Sequence, residues 1–226
     1  MHLPFRHSIA RKNLMALTGG FLSFFLLIHL AGNLQLLLPE ARAREQFNLY
    51  AQLLSGNILI KAISYGLYLS ILLHALYALL LALSSRKARG GQAYVYDHRR
   101  QASPWYARSM GLLGSILLVF LAVHMKDFWY VYKFTAIPLD EHGQKDLYTV
   151  VATAYQEAWY VLLYVVAMIA LGFHLLHGVK SALFSLGLYH PRYRLWAKRA
   201  STAYAIAMTA GFCLIPIYLY FTQNPA

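Results

Sequence analysis

Cysteine is almost absent from this chain: Cys213 is the only one. A lone thiol excludes an intramolecular disulfide, a thiolate-held iron–sulfur cluster and a structural zinc site. Its default role is that of a small apolar residue in a helix. Acid is scarce too, with eight Asp and Glu against twenty Lys and Arg. Charged residues of either sign make up 12% of the chain, about half the share usual in a soluble domain. What fills the space is apolar: 59% of the 226 residues, with a mean hydropathy of +0.47. That balance belongs to a membrane protein, and the length suits one bundle.

Five apolar runs stand out, over residues 14–38, 57–85, 105–132, 157–187 and 198–221. Each reaches the roughly 20 residues that a membrane helix needs. The expected fold is all-α: a single integral-membrane domain over 1–226 with five transmembrane helices. Met1 to Asn13 is basic and leads into a full-length span, which reads as a retained helix and not a cleaved signal peptide. Gly19, Gly20, Gly111, Gly114 and Gly211 sit inside the runs. They suit either close helix packing or the approach of a flat cofactor.

The connections carry the topology. Arg6, Arg11 and Lys12 precede the first run, and Arg86, Lys87, Arg89, Arg99, Arg100 and Arg108 join the second to the third. Lys180, Arg192, Arg194, Lys198 and Arg199 join the fourth to the fifth. These fourteen basic residues share one side with a single acid, Asp97. The other side carries six basic residues and seven acids. The positive-inside rule therefore puts the N-terminus in the cytoplasm. The net charge of +12 is thus mainly a topology signal, and nucleic acid is not an expected partner.

Four of the runs carry a histidine in their interior: His29, His74, His124 and, in the fourth, His174 with His177 nearby. Ionisable groups at membrane depth are functional candidates by default. A helix rises about 1.5 Å per residue, which converts position to depth. His29 follows Asn13 by 16 residues and His124 follows Pro104 by 20, so both lie roughly 24–30 Å from the inner end. His74 precedes Arg86 by 12 and His174 precedes Gly187 by 13, roughly 18–20 Å from that end. Two layers of two imidazoles result, His29 with His124 outside and His74 with His174 inside. That suits two six-coordinate haems, each iron held by two histidines. The bland alternative is a hydrogen bond from each histidine to a neighbouring helix. A di-metal centre would need carboxylates in the helix interiors, and a proton relay also favours them.

The order of these pieces carries a resemblance. His29-Leu30-Ala31-Gly32-Asn33-Leu34 is followed by Phe47-Asn48-Leu49-Tyr50-Ala51, then by His74, Arg86-Lys87-Ala88-Arg89, Val123-His124 and Gly172-Phe173-His174-Leu175-Leu176-His177-Gly178. Over nearly its whole length the chain resembles the diheme cytochrome b558 membrane-anchor subunit of succinate dehydrogenases and fumarate reductases. The resemblance implies two haem b groups, with first-helix and third-helix ligands paired and second-helix and fourth-helix ligands paired. It also implies a quinone substrate, menaquinone as the expected type, and partners in an iron–sulfur subunit and a flavoprotein subunit. The expected setting is a bacterial inner membrane.

In the family the fourth ligand precedes one glycine by four residues and a helix-ending glycine by thirteen. Counting from His174 reaches Gly178 and Gly187, so His174 is the expected ligand and His177 a propionate or polar-network contact. Some fumarate reductases of the family carry a glutamate two residues before that ligand. Here the position is Gly172, and the proton pathway attributed to that glutamate is not inferred. Glu45, beside Phe47-Asn48, is the first candidate for quinone-linked proton transfer, with Glu40 and Glu157 as rivals. A solvated loop acid is the competing reading for all three. Arg86, Arg89, Lys180 and Arg192 are topology determinants that could also meet haem propionates or the iron–sulfur subunit. Trp129, Tyr130, Tyr132, Trp159 and Tyr160 read as interfacial anchors. His2, His7, His98, His142 and His190 read as solvated.

Two rival functions share parts of this pattern. A hydrogenase or formate dehydrogenase cytochrome b subunit would use the same bis-histidine chemistry with another soluble enzyme. A haem-free transporter would have buried histidines, but five helices without an internal repeat suit it poorly.

Overall fold

Lipid offers backbone groups no hydrogen-bond partners, so a spanning segment must satisfy its own, and helices do. The structure is a computed structural model that describes residues 8–90, 101 and 103–224. His2, Arg6, His7, Asp97, His98, Arg99 and Arg100, and the side chain of Arg89, lie outside the described part. The chain forms an all-α membrane bundle with five helices long and apolar enough to span a bilayer.

The helices are α1 (Ser8–Asn33), α2 (Glu40–Gly56), α3 (Ile58–Arg89), α4 (Trp105–Arg108), α5 (Met110–His124), α6 (Val131–Phe134), α7 (Leu147–Ala154), α8 (Ala158–Ser185) and α9 (Arg194–Gln223). A 3-10 turn, Leu34–Leu37, extends α1, and a π-wound turn, Met125–Tyr130, joins α5 to α6. The five long spans are thus α1, α3, α5 with its continuation, α8 and α9. Helices α1, α3, α5 and α8 pack in a closed ring, each against the next. Helix α9 lies outside the ring against α8 and α1, where the Tyr204 hydroxyl donates to the Ser23 carbonyl at 2.7 Å. The faces of α3 and α5 turned away from their neighbours expose Leu69, Leu72, Leu76, Leu112, Leu118 and Val119, as lipid-facing helices do.

The ends of these helices follow local chemistry. The Asn57 side chain caps α3, accepting from the Leu59 N–H at 2.8 Å and the Ile60 N–H at 3.3 Å. Gly187, at φ 73°, ends α8 in a Schellman turn: Leu188 N–H donates to Leu183 O and Gly187 N–H to Phe184 O. Helix α1 starts well before residue 14 and α9 before 198. Hydropathy marks where lipid begins, and Arg11, Lys12 and Arg194 are good helix formers that need not end a helix there.

Two helices fall where the sequence reads as connection. Helix α2 carries Glu40, Arg42, Arg44 and Glu45 yet buries Ala43, Phe47 and Asn48, one stripe at helical spacing. Helix α7 is short and N-capped by Asp146, whose carboxylate accepts from the Thr149 N–H at 3.2 Å. Together they cap one end of the bundle. The Tyr50 ring lies over Gly32 of α1, where any Cβ would collide with it, so α2 can lean closely on α1.

A polar clamp ties the cap together. Asn48, fully buried, donates to Asp140 at 3.0 Å and to Asp146 at 3.1 Å, and accepts from the Tyr148 N–H at 2.9 Å. Arg44 donates a short ion-paired bond to Asp146, which is 2% exposed. Burial opposes ionisation of Asp146, but bonds from Arg44, Thr149 and Asn48 outweigh it and hold the carboxyl below its ordinary value. A depressed carboxyl stabilises the fold above the unfolded-state value of about 3.9 and stops doing so as pH falls through the lower folded value. Replacing Asp146 with alanine removes the acceptor of Arg44 and one of the two acceptors of Asn48. The expected cost is about 3 kcal/mol, read as thermal unfolding in detergent. A loss below about 0.5 kcal/mol would mean that the clamp does not hold the cap.

Candidate functional site

The ring of four helices turns its interior histidines towards one another in pairs. His29 on α1 faces His124 at the end of α5, ring centres 5.8 Å apart and nearly perpendicular. His74 on α3 faces His174 on α8 at 6.2 Å. These are the pairs that depth alone predicts. His177 makes no ring contact with His74; the α8 ring that reaches it is His174.

Neighbouring groups set the ring nitrogens. The Thr18 hydroxyl lies 2.9 Å from the Leu14 carbonyl and 3.1 Å from His74 Nδ1. With its hydrogen on that carbonyl, which can only accept, the hydroxyl oxygen is placed to accept from His74 Nδ1–H. That arrangement would put the proton on Nδ1 and leave the Nε2 lone pair for a ligand. His124 Nδ1 lies 3.2 Å from the Tyr164 hydroxyl, which is bonded in turn to Tyr160. The Asn33 amide nitrogen gives its good bond to the His29 carbonyl at 2.8 Å and only grazes His29 Nδ1 at 3.4 Å. His174 Nδ1 is buried without a hydrogen-bond partner.

The glycines now divide by role. A Cβ at Gly19 would lie 3.2 Å from His74 Cε1, and one at Gly114 would lie 3.9 Å from His174 Cε1. These two make room beside the imidazoles. Gly211 instead packs helices, since a Cβ there would come within 2.8 Å of Leu30. Gly20 and Gly111 face open space. Buried Gly172 lies against the Thr209 side chain of α9, which any Cβ would strike. A glutamate at this position would have to displace the Thr209 hydroxyl, which donates to the Ala205 carbonyl at 2.8 Å.

Three helices repeat one spacing between the layers. On α1 it runs from Gly19, beside His74, to His29; on α5 from Gly114, beside His174, to His124; on α8 from His174 back to Tyr164, the partner of His124. Each interval is ten residues, or about 15 Å along a helix.

Does this arrangement fit a haem? Two metal–imidazole bonds of about 2.0–2.1 Å in line would separate the ring centres by roughly 6 Å, and both pairs lie near that distance. Among the described residues no group of three or more His, Cys, Asp or Glu side chains comes together. Each pair therefore offers two imidazoles, the number a six-coordinate haem iron would take from protein. The unpartnered Nδ1 of His174 and the small residues beside His74 and His174 also fit. The residues suit a bis-histidine haem in each layer.

The other residues singled out from sequence lie elsewhere. Glu45, Glu40 and Glu157 are exposed, as are Arg86, Lys180, Arg192, His142 and His190. Glu45 sits on the outward face of α2, on the opposite side from buried Ala43 and Phe47. Tyr160 corrects the reading as an interfacial anchor. Trp159 and Tyr130 are exposed as an anchor should be, but Tyr160 is 6% exposed and points into the bundle, donating to Asp127 at 3.0 Å. Sequence reasoning passed over Asp127 and Tyr164. The available signal was an acid three residues after an intramembrane histidine, on a span otherwise short of acids. Comparison with protein families, with curated proteins and with solved structures gives no match.

Proposed function

We propose that this chain is a diheme membrane cytochrome, the quinone-reactive anchor of a succinate dehydrogenase or fumarate reductase. The observation that carries the reading is the facing of two pairs of intramembrane imidazoles at two heights in one helical ring. His29 and His124 would hold one haem, His74 and His174 the other. Bound haem supplies one-electron transfer, which lets a two-electron quinone couple meet one-electron iron–sulfur carriers. The chain's own part is to present four neutral imidazoles, keep water out with apolar helices and hold the layers about 15 Å apart along the helix axes.

The sequence resemblance supplies the partners: an iron–sulfur subunit on the cytoplasmic face, joined to a flavoprotein, and menaquinone in a bacterial inner membrane. The excess of basic residues at the end away from the α2 and α7 cap supports placing that end in the cytoplasm. It also suits docking of an acidic partner. A reduced-minus-oxidised visible spectrum with a haem count on the purified chain tests the reading. The expected result is b-type absorption with two haems per chain, together with co-purification of a flavin-containing subunit. No b-type absorption would reject it, and two haems with a hydrogenase or formate dehydrogenase partner would reject only the succinate assignment.

A further inference from the structure

One imidazole of the four is tied to a charge. His124 Nδ1 lies 3.2 Å from the Tyr164 hydroxyl, Tyr164 lies 3.3 Å from the Tyr160 hydroxyl, and Tyr160 donates to Asp127 Oδ2 at 3.0 Å. Both tyrosines are buried, at 4% and 6% exposed. The Asp127 side chain is 27% exposed and pairs with Lys126 Nζ at 3.1 Å, itself 80% exposed. The chain of bonds thus runs from the edge of the bundle, in the π-wound turn after α5, to a ring in its interior.

The direction of these bonds is determined by their far end. An ionised carboxylate can only accept, so Tyr160 spends its hydrogen on Asp127 and its oxygen accepts from Tyr164. Tyr164 then has only lone pairs to offer His124, and Nδ1 must be the protonated nitrogen. Nε2 is left as the metal-binding atom. Aligned hydrogen bonds polarise one another, so negative charge at Asp127 strengthens the pull on Nδ1–H and makes the imidazole a stronger donor. The other three lack this. His74 meets a neutral hydroxyl, His29 a grazing amide, and His174 Nδ1 has no partner.

We propose that Asp127, acting through Tyr160 and Tyr164, sets the ligand strength of His124 and so lowers the reduction potential of the iron that His124 and His29 would hold. The inference rests on the bis-histidine reading above and goes beyond it by naming the residues that act on His124. Asp127, Tyr160 and Tyr164 are positioning residues, since only His124 would touch the metal. Electron-rich ligation favours the ferric state, so the haem of the capped end becomes harder to reduce than it would be without the relay. The competing role is mechanical, with the same bonds merely tying α8 to the third span.

The test is an equilibrium redox titration of the purified complex, followed by b-type absorption, for the parent and for Asp127→Asn, Tyr160→Phe and Tyr164→Phe. Each variant is expected to keep two haems and to change the ferric-to-ferrous ratio of one haem about tenfold at fixed potential. For one electron that is an upward shift of 59 mV. The other haem should titrate unchanged, and combining Asp127→Asn with Tyr164→Phe should shift no further than Tyr164→Phe alone. Should Asp127→Asn fail to assemble, Tyr160→Phe keeps the ring and removes only the bond to the carboxylate. Two haems at parental potentials in Asp127→Asn or Tyr160→Phe would overturn the proposal and leave the diheme reading standing. Equal shifts of both haems would also overturn it, because a structural or long-range effect would not single out one site. A parent without b-type absorption would remove both.

Discussion

Replacing His124 with alanine is expected to remove one haem and leave the other, halving the b-type absorption per chain. His29 faces His124 across the ring and would be left as the sole protein ligand of its site. The second pair lies about 15 Å away along the helices and shares no ligand with the first, so its haem should be retained. His74→Ala should give the mirror result, with the surviving haem now the one between His29 and His124. Haem extraction with a protein assay reads the stoichiometry, and the two variants should differ in spectrum because each keeps a different haem. Two haems per chain in both variants would refute the ligand assignment.

Separate replacement of His174 and His177 should produce opposite outcomes, although the two lie three residues apart. Their directions on a helix differ by only about 60°, so periodicity cannot choose between them. The ring geometry does: His174 reaches His74 at 6.2 Å, flanked by Gly114 and Gly178, and its Nδ1 is buried without a partner. His174→Ala is expected to drop the count from two haems to one. His177→Ala should keep both, with at most a small change in absorption from an altered polar neighbour. The reverse pattern would move the ligand one helical step towards Lys180 and would leave the facing of His74 and His174 without a function.

Much of this arrangement can be read before any coordinates exist, for a physical reason. Lipid forces spans to be continuous, apolar and alternating in direction, so position along the sequence becomes depth. That is why His29 could be matched with His124, and His74 with His174, from counting alone. Depth says nothing about rotation, however. Tyr160 sits at a helix end where aromatics usually anchor, and only the rotation of α8 reveals that it faces Asp127, 33 residues away. Helices α2 and α7 escaped notice because their charges, Glu40 to Glu45 and Asp146, resemble a loop. Their apolar stripes match a cap, not a bilayer. Choosing Glu45 as the acid of interest rested on its neighbours in sequence, while the acid wired to an imidazole is Asp127.

The common ten-residue interval on α1, α5 and α8 makes the distance between the two sites over-determined. A one-residue insertion between the layers of any of these helices would turn everything beyond it by about 100° and carry a ring or its partner out of the interior. The two other helices would keep their old register, so no single insertion could lengthen the gap and keep both sites intact. Descendants of such a protein could retune their sites by changing side chains around them, but the separation itself could change only by matched steps in three helices at once.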